Sequence, residues 1–129
     1  MKILVFGNVL VRNDSLALRI LPKLVSLFPN VEFKELDAAE NVESEGKDLI
    51  ILDVAKGIKS ASLIENLDSL DLSNIYSMHD FDIALTLKLL LKHKKINSIK
   101  IIALPLHSSE KEALVGAKKL ISTLLLKSG

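Results

Sequence analysis

The sequence predicts an α/β protein with a three-layer α/β/α sandwich fold and a mostly parallel sheet of about five strands. Residues 2–6, 48–52 and 99–104 are apolar segments of strand length with little alternation, as expected of strands covered on both faces. Helical patterns follow these segments along the chain, and this order of elements favours a parallel sheet. The chain has 129 residues, so we expect residues 1–129 to form a single domain.

The composition excludes several classes of protein. The net charge is +1 and 26% of the residues are charged, so nothing indicates a nucleic acid or an anionic membrane as partner. Cysteine is absent, which excludes disulfides, thiolate nucleophiles and cysteine-based metal sites. The apolar opening of the chain is too short for the hydrophobic region of a signal peptide. We therefore expect a cytoplasmic protein without membrane insertion.

The first half of the chain contains one helix between two strands. After strand 2–6, Leu16, Ile20 and Leu24 recur at helical spacing, and Asn13 or Asp14 can cap this helix. Pro22 lies inside the pattern and predicts a kink or an early break, because an interior proline removes a helical hydrogen bond. Residues 31–36 alternate between apolar and charged side chains and predict a peripheral strand. Residues 37–47 are polar and predict a loop with a turn or two of helix.

The second half contains two further helices. Residues 61–64 predict a short edge strand antiparallel to the others, although the pattern from 54 to 73 is weak. A helix over 81–92 can be capped by Ser77 or Asp80. Ser109 and Glu112 have the spacing of a capping box. The last helix follows them, and its predicted core face consists of Ala113, Leu114, Ala117, Leu120, Ile121, Leu124 and Leu125.

Four side chains that can bind metals or transfer protons follow these strands or precede these helices: Asp14, Asp53, His79 and His107. Two carboxylates and an imidazole are a suitable set of ligands for a divalent metal. Each residue also has an ordinary structural interpretation. Asp14 and His79 could cap helices, and His107 could serve either purpose. Asp53 is the strongest candidate, because an acid at the end of a buried strand must be hydrogen-bonded, paired or functional.

Other sites are weakly supported. Gly7 and Asn8 do not make a dinucleotide-binding fingerprint, which requires three glycines. The sequence contains neither a phosphate-binding P-loop nor the Gly-x-Ser-x-Gly motif of serine hydrolases. His93 and the neighbouring Lys92, Lys94 and Lys95 are typical of a solvated helix end.

Taken together, three segments resemble the [NiFe]-hydrogenase maturation endopeptidases. The family has a strand, Gly-Asn, a loop and an acidic pair entering the first helix, matched here by FGNVLVRNDSLALRI. It has an aspartate at the end of a later buried strand, matched by LIILDVAKG. It also has Ser-x-His before the following helix, matched by SMHDFDIALTLKLL. The resemblance covers nearly the whole chain.

The resemblance implies a specific reaction. Such enzymes remove the C-terminal extension from the precursor of a [NiFe]-hydrogenase large subunit after nickel has been inserted. The metal-contacting residues of the family correspond to Asp14, Asp53 and His79, which would recognise the nickel carried by the substrate. Zinc or another divalent ion could substitute for nickel. The metal would polarise the scissile carbonyl or a water molecule.

The chain also departs from the family pattern. Asn13 replaces the first member of the acidic pair, and the family's Gly-x-Gly-Asn opening is shortened to Phe6-Gly7-Asn8. Glycines that commonly follow the acids and the histidine are absent, which indicates a diverged member. Two alternatives remain open at this point: a phosphoacceptor receiver domain with Asp53 as the acceptor, and a non-catalytic metal-binding or interaction domain.

Overall fold

A computed structural model of the chain describes residues 1–6, 16–36, 42–65, 75 and 81–128. Within these residues, the first half contains strand β1 (Lys2–Phe6), helix α1 (Leu16–Leu27), strand β2 (Glu32–Leu36) and a 3₁₀ helix (Val42–Glu45). The second half contains β3 (Asp48–Ala55), β4 (Ser62–Ile64), α2 (Phe81–Lys92), β5 (Ser98–Pro105) and α3 (Glu110–Ser128). The predicted alternation of strands and helices is confirmed.

The five described strands form one sheet in the order β2-β1-β3-β5-β4. β1 pairs in parallel with β2 and β3, and β3 pairs in parallel with β5 over the whole length of both strands. β4 pairs antiparallel with β5, with Leu63 opposite Ile102. The predictions of a mostly parallel sheet, a peripheral strand β2 and an antiparallel edge strand near residues 61–64 are all confirmed.

Apolar side chains from alternating strand positions form a core on each face of the sheet. One face packs against α1 and α3 through side chains that include Ile20 and Ile121. The other face packs against α2 through Leu87, with Leu90 and Leu91 at the margin. Because helices cover both faces, the three-layer prediction is confirmed. None of the described helices is long and apolar enough to cross a membrane.

Helix α1 corrects part of one prediction. The sequence predicted a kink or an early break at Pro22, and the early break does not occur, because the helix continues through this residue to Leu27. Pro22 is exposed, whereas Ile20, Leu21 and Leu24 on either side of it are buried against the sheet. Burial of these side chains offsets the hydrogen bond that the proline cannot donate.

The start of α3 confirms the Ser109 half of the predicted capping box. The Ser109 hydroxyl accepts a hydrogen bond of 3.1 Å from the backbone N–H of Glu112, so Ser109 is the N-cap of this helix. The carboxylate of Glu110, the first residue of α3, accepts a hydrogen bond of 3.0 Å from the guanidinium of Arg19 in α1. The first turns of the two helices on this face are thereby linked. The caps predicted from Asn13, Asp14, Ser77 and Asp80 lie outside the described residues.

An ion-pair cluster ties the 3₁₀ helix to the sheet. The Glu45 carboxylate accepts hydrogen bonds from Lys2 Nζ of β1, at 2.8 Å, and from Lys34 Nζ of β2. Its side chain is only 6% exposed. The chain between β2 and β3 is therefore fastened to the amino end of β1. The sequence predicted a turn of helix in this region but not these contacts.

Candidate functional site

Asp53 lies inside strand β3, not at its end as the sequence predicted. The strand continues through Val54 to Ala55, and Asp53 stands opposite Ala103 of β5. The extension has a clear cause: β5 runs alongside as far as Pro105, and Val54 and Ala55 are apolar residues suited to a covered strand. Asp53 is therefore enclosed by neighbouring strand residues on both sides along the chain.

Burial of Asp53 is complete. Its exposed fraction is 0%, and it is the one polar or charged residue, among those that the structure describes, that is buried as a whole residue, backbone included. Its Oδ1 accepts a hydrogen bond of 2.8 Å from the backbone N–H of Val54. Removing a carboxylate from water is costly, and the cost must be offset by hydrogen bonds or charge partners. A buried acid in a sheet of apolar side chains is therefore a strong candidate for function.

The direction of the Asp53 side chain follows from strand alternation. Leu49, Ile51 and Ala55 belong to the core on the α2 face of the sheet. Side chains two residues apart on a strand point to the same face, so Asp53, between Ile51 and Ala55, faces α2 as well. The opposite strand residue, Ala103, belongs to the same core. The carboxylate therefore lies on the side of the sheet covered by the helix that follows His79.

Asp14 and His79 lie outside the described residues. Between them in the chain, Ile75 is described and forms an antiparallel bridge with Ala55, two residues beyond Asp53. Of the three predicted ligands, Asp53 is therefore the one that the structure describes.

The predicted metal site is not tested by the described residues. Within 1–6, 16–36, 42–65, 75 and 81–128, no group of three His, Asp or Glu side chains could hold a metal ion. Two of the three predicted ligands are outside those ranges. The assignment of Asp14, Asp53 and His79 as catalytic and metal-contacting residues stays a prediction.

The remaining histidines are exposed. His93 follows the end of α2 among lysines, in agreement with its interpretation as a surface residue. His107 lies between β5 and α3 and lines a small cavity with Lys59 and Glu112. The sequence analysis named His107 as a candidate but gave Lys59 no role and Glu112 only a role in helix capping. The signal that could have indicated both residues is their position, each a few residues beyond a buried strand.

Comparison with known proteins finds likeness in structure alone. No family model and no curated protein sequence matches the chain. The fold is similar to that of the [NiFe] hydrogenase maturation protease HybD from Thermococcus kodakarensis, with a TM-score of 0.56 and 17% identity. That match covers 93% of this chain and 99% of HybD.

An endopeptidase from Escherichia coli, known from a solution structure, is similar with a TM-score of 0.68 and 20% identity. That match covers 100% of this chain and 94% of the endopeptidase. The resemblance predicted from the sequence motifs is confirmed at the level of the fold. The chain has the fold of the hydrogenase maturation protease HybD and of the E. coli endopeptidase over nearly the full length of each.

Proposed function

We propose that this protein is an endopeptidase that removes the C-terminal extension of a [NiFe]-hydrogenase large-subunit precursor after nickel insertion. The observation that carries the proposal is the buried carboxylate of Asp53 near the carboxyl end of a central strand. Ligand sites of open α/β sheets lie at this end of the strands. The fold shared with a hydrogenase maturation protease and with a second endopeptidase adds support.

In this proposal, Asp14, Asp53 and His79 recognise the nickel carried by the substrate. Carboxylate oxygens and imidazole nitrogens both suit divalent ions of this kind, and zinc or another divalent ion could substitute. The metal would polarise the scissile carbonyl or a water molecule. Completion of the metal centre would then be the condition for cleavage. The reaction would take place in the cytoplasm.

The burial of Asp53 places a requirement on this mechanism. Its carboxylate has no exposed surface, so the proposed recognition requires that a metal on the substrate gain access to this buried side chain. Residues 7–15 join the carboxyl end of β1 to α1, and residues 76–80 lead into α2. These segments carry Asp14 and His79. The proposal therefore assigns recognition of the metal to these two segments together with Asp53.

The receiver-domain alternative is disfavoured by the sheet. Receiver domains have the flavodoxin-like strand order 2-1-3-4-5 in a parallel sheet. Here β5 occupies the position beside β3, and the antiparallel β4 forms the edge. The experiment described next distinguishes the proposed endopeptidase from a non-catalytic binding domain.

The test is incubation of the purified protein with a hydrogenase large-subunit precursor, with and without nickel, followed by intact mass measurement. We expect shortening of the nickel-loaded precursor by the wild type and at least a hundredfold slower shortening by Asp14→Asn, Asp53→Asn and His79→Ala. Asp48→Asn, at the exposed start of the same strand, is the matched control and should cleave normally. Binding of the precursor without cleavage would favour the non-catalytic alternative, and unchanged cleavage by Asp53→Asn would refute the proposed site.

A further inference from the structure

Helix α2 is apolar on two opposite sides. Leu87, Leu90 and Leu91 pack in the core on the α2 face of the sheet. On the other side of the helix, Leu85 and Leu89 are 41% and 42% exposed. A surface helix normally presents polar side chains outward, and a helix that is apolar on every side is normally covered. The outer leucines of α2 therefore indicate a surface that another molecule can cover.

Two lysines complete this outer side of α2. Lys88 and Lys92 are exposed and lie three residues after Leu85 and Leu89, respectively. Residues three, four and seven positions apart share one side of a helix, so these four side chains form a single row. At a rise of 1.5 Å per residue, the row is about 10 Å long. We call Leu85, Lys88, Leu89 and Lys92 the α2 stripe.

The α2 stripe continues into a positively charged turn. Lys94 and Lys95 follow the helix, and both are exposed. The N–H of Lys94 donates to the carbonyl of Leu91, at 3.2 Å, and the N–H of Lys95 donates to the carbonyl of Leu90, at 2.9 Å. With a φ of 58° at Lys94, these bonds make a Schellman motif, in which glycine is the usual residue at this position. The two lysines therefore extend from an ordered turn at the end of the stripe.

The charge of this region is of one sign. Residues 83–98 contain four lysines and one histidine but neither aspartate nor glutamate. Within the part of the chain that the structure describes, none of these lysines forms an ion pair. The helix dipole favours cations in the last turn, which accounts for Lys92 but not for Lys88, one turn earlier. Like charges at this spacing repel, and an acidic partner would remove the repulsion.

Two other occupants match this surface less well. In a dimer of two copies of the chain, α2 against α2 would bring the lysines of both stripes together, and like charges that meet across an interface are unfavourable. A helix that lies in a membrane surface has its apolar side chains on one face and its lysines on the opposite face. In the α2 stripe, leucines and lysines share one side. This arrangement matches a partner that presents aliphatic and acidic side chains side by side.

We infer that the α2 stripe is a docking surface for an acidic amphipathic helix of a partner protein. Aliphatic side chains of that helix pack against Leu85 and Leu89, while its carboxylates pair with Lys88 and Lys92. A surface of this size supports a weak, transient contact rather than a permanent complex. The inference does not depend on the proposed function, because the stripe faces away from the sheet that contains Asp53.

The test titrates the ¹⁵N-labelled full chain with an alanine-based peptide of about 16 residues that has a row of leucines flanked by glutamates. Isolated helices shorter than about 12–15 residues are marginal in water, so this length allows a helix to form. One matched peptide has lysines in place of the glutamates, and another has alanines in place of the leucines. We expect saturable shifts in the amide signals of residues 85–96 with the acidic leucine peptide. Each control peptide should bind at least about tenfold more weakly, because it lacks the charge pairs or the apolar contact.

Variants of the chain test the surface directly. Lys88→Glu/Lys92→Glu should abolish binding of the acidic leucine peptide and should bind the lysine peptide instead. Leu89→Ala should weaken binding of the acidic leucine peptide at least about threefold, because it removes apolar contact area. Lys118→Glu/Lys119→Glu, at exposed positions of α3, makes the same change of charge elsewhere and should leave binding unchanged.

Equal binding of the acidic peptides with leucines and with alanines would overturn the inference, because charge alone would then explain the binding. Unchanged binding by folded Lys88→Glu/Lys92→Glu would overturn it as well, since the peptide would bind elsewhere. If this variant does not fold, the three peptides compared on the wild-type chain decide alone. Sedimentation of the chain with phosphatidylserine vesicles, or dimers of the chain that Leu89→Ala dissociates, would assign the stripe to a membrane or to a second copy and would also overturn the inference.

Discussion

Gly116 of α3 lies directly against Ala61, the residue before β4. A Cβ added at Gly116 would lie 2.6 Å from the Cβ of Ala61. This distance is well below the roughly 3.5–4.0 Å at which two non-bonded carbon atoms pack. The absence of a side chain at Gly116 therefore allows the last helix to approach the antiparallel edge of the sheet. This contact is independent of the candidate site and gives a test of the packing of the fold.

Gly116→Ala should destabilise the protein despite the higher helix propensity of alanine. The propensity gain is at most about 1 kcal/mol, whereas overpacking a close contact typically costs about 1–3 kcal/mol. We expect a net loss of roughly 1–2 kcal/mol in the free energy of unfolding, measured by urea denaturation.

The double variant Ala61→Gly/Gly116→Ala supplies the control for this contact. Removing the Cβ of Ala61 leaves no other atom closer than 3.9 Å to the new methyl group. The double variant should therefore be more stable than the sum of the two single changes predicts, with a coupling of at least about 0.5 kcal/mol. Strictly additive effects would show that the two residues do not meet in solution.

Glu45 should make stability depend on pH in the acid range. The hydrogen bond from Lys2, and then that from Lys34, lowers the pKa of the Glu45 carboxyl from its ordinary value of 4.5. The folded state therefore binds a proton at Glu45 less readily than the unfolded state does. This contribution to stability is present above about pH 4.5 and is lost as the pH falls through the lowered pKa of the folded state.

Glu45→Gln should lower the melting temperature at pH 7, because the amide cannot form either ion pair. The difference from the wild type should shrink as the pH is lowered below the ordinary glutamate range. Glu35→Gln, at an exposed position of β2, is the matched control and should show a smaller effect at pH 7. A difference between Glu45→Gln and the wild type that stays constant from pH 7 to pH 3 would contradict the proposed linkage.

Pro22→Ala should stabilise helix α1. The substitution supplies the missing backbone donor within a helix that continues to Leu27. Part of the gain is offset because alanine leaves the unfolded chain more flexible than proline does. We expect a net stabilisation of about 1–2 kcal/mol, measured as a rise in the urea midpoint. Lys23→Ala, at the next exposed position, should change stability by less than about 0.5 kcal/mol, and a destabilised Pro22→Ala would contradict this explanation.

The layers of this fold could be predicted from the sequence, because each layer consists of strands or helices with a strong local pattern. The uninterrupted apolar segments that became β1, β3 and β5 predicted central strands, and Ser109 predicted the start of α3. Pro22 shows the limit of such patterns. A proline strongly disfavours the interior of an isolated helix, but burial of Ile20 and Leu24 against the sheet outweighs this local preference.

The site was less predictable because it depends on contacts between distant segments. The sequence selected Asp53 correctly as a buried acid, but the end of β3 was set two residues later by pairing with β5. The Glu45 cluster joins three segments that are far apart in the chain, and charged side chains at such distances give no periodic signal. The small cavity lined by His107, Lys59 and Glu112 likewise forms only where segments distant in the chain meet.

Asp53→Asn should separate the function of this residue from its effect on stability. Asparagine has nearly the same shape, and its side-chain oxygen can accept the hydrogen bond that Val54 now donates to Oδ1. We expect the free energy of unfolding to change by no more than about 1 kcal/mol, while processing of the nickel-loaded precursor is lost. Asp48→Asn in the same strand should preserve both properties. A loss above about 3 kcal/mol in Asp53→Asn would instead indicate that the carboxylate is retained to hold the fold, because breaking a buried charge network has a cost of that size.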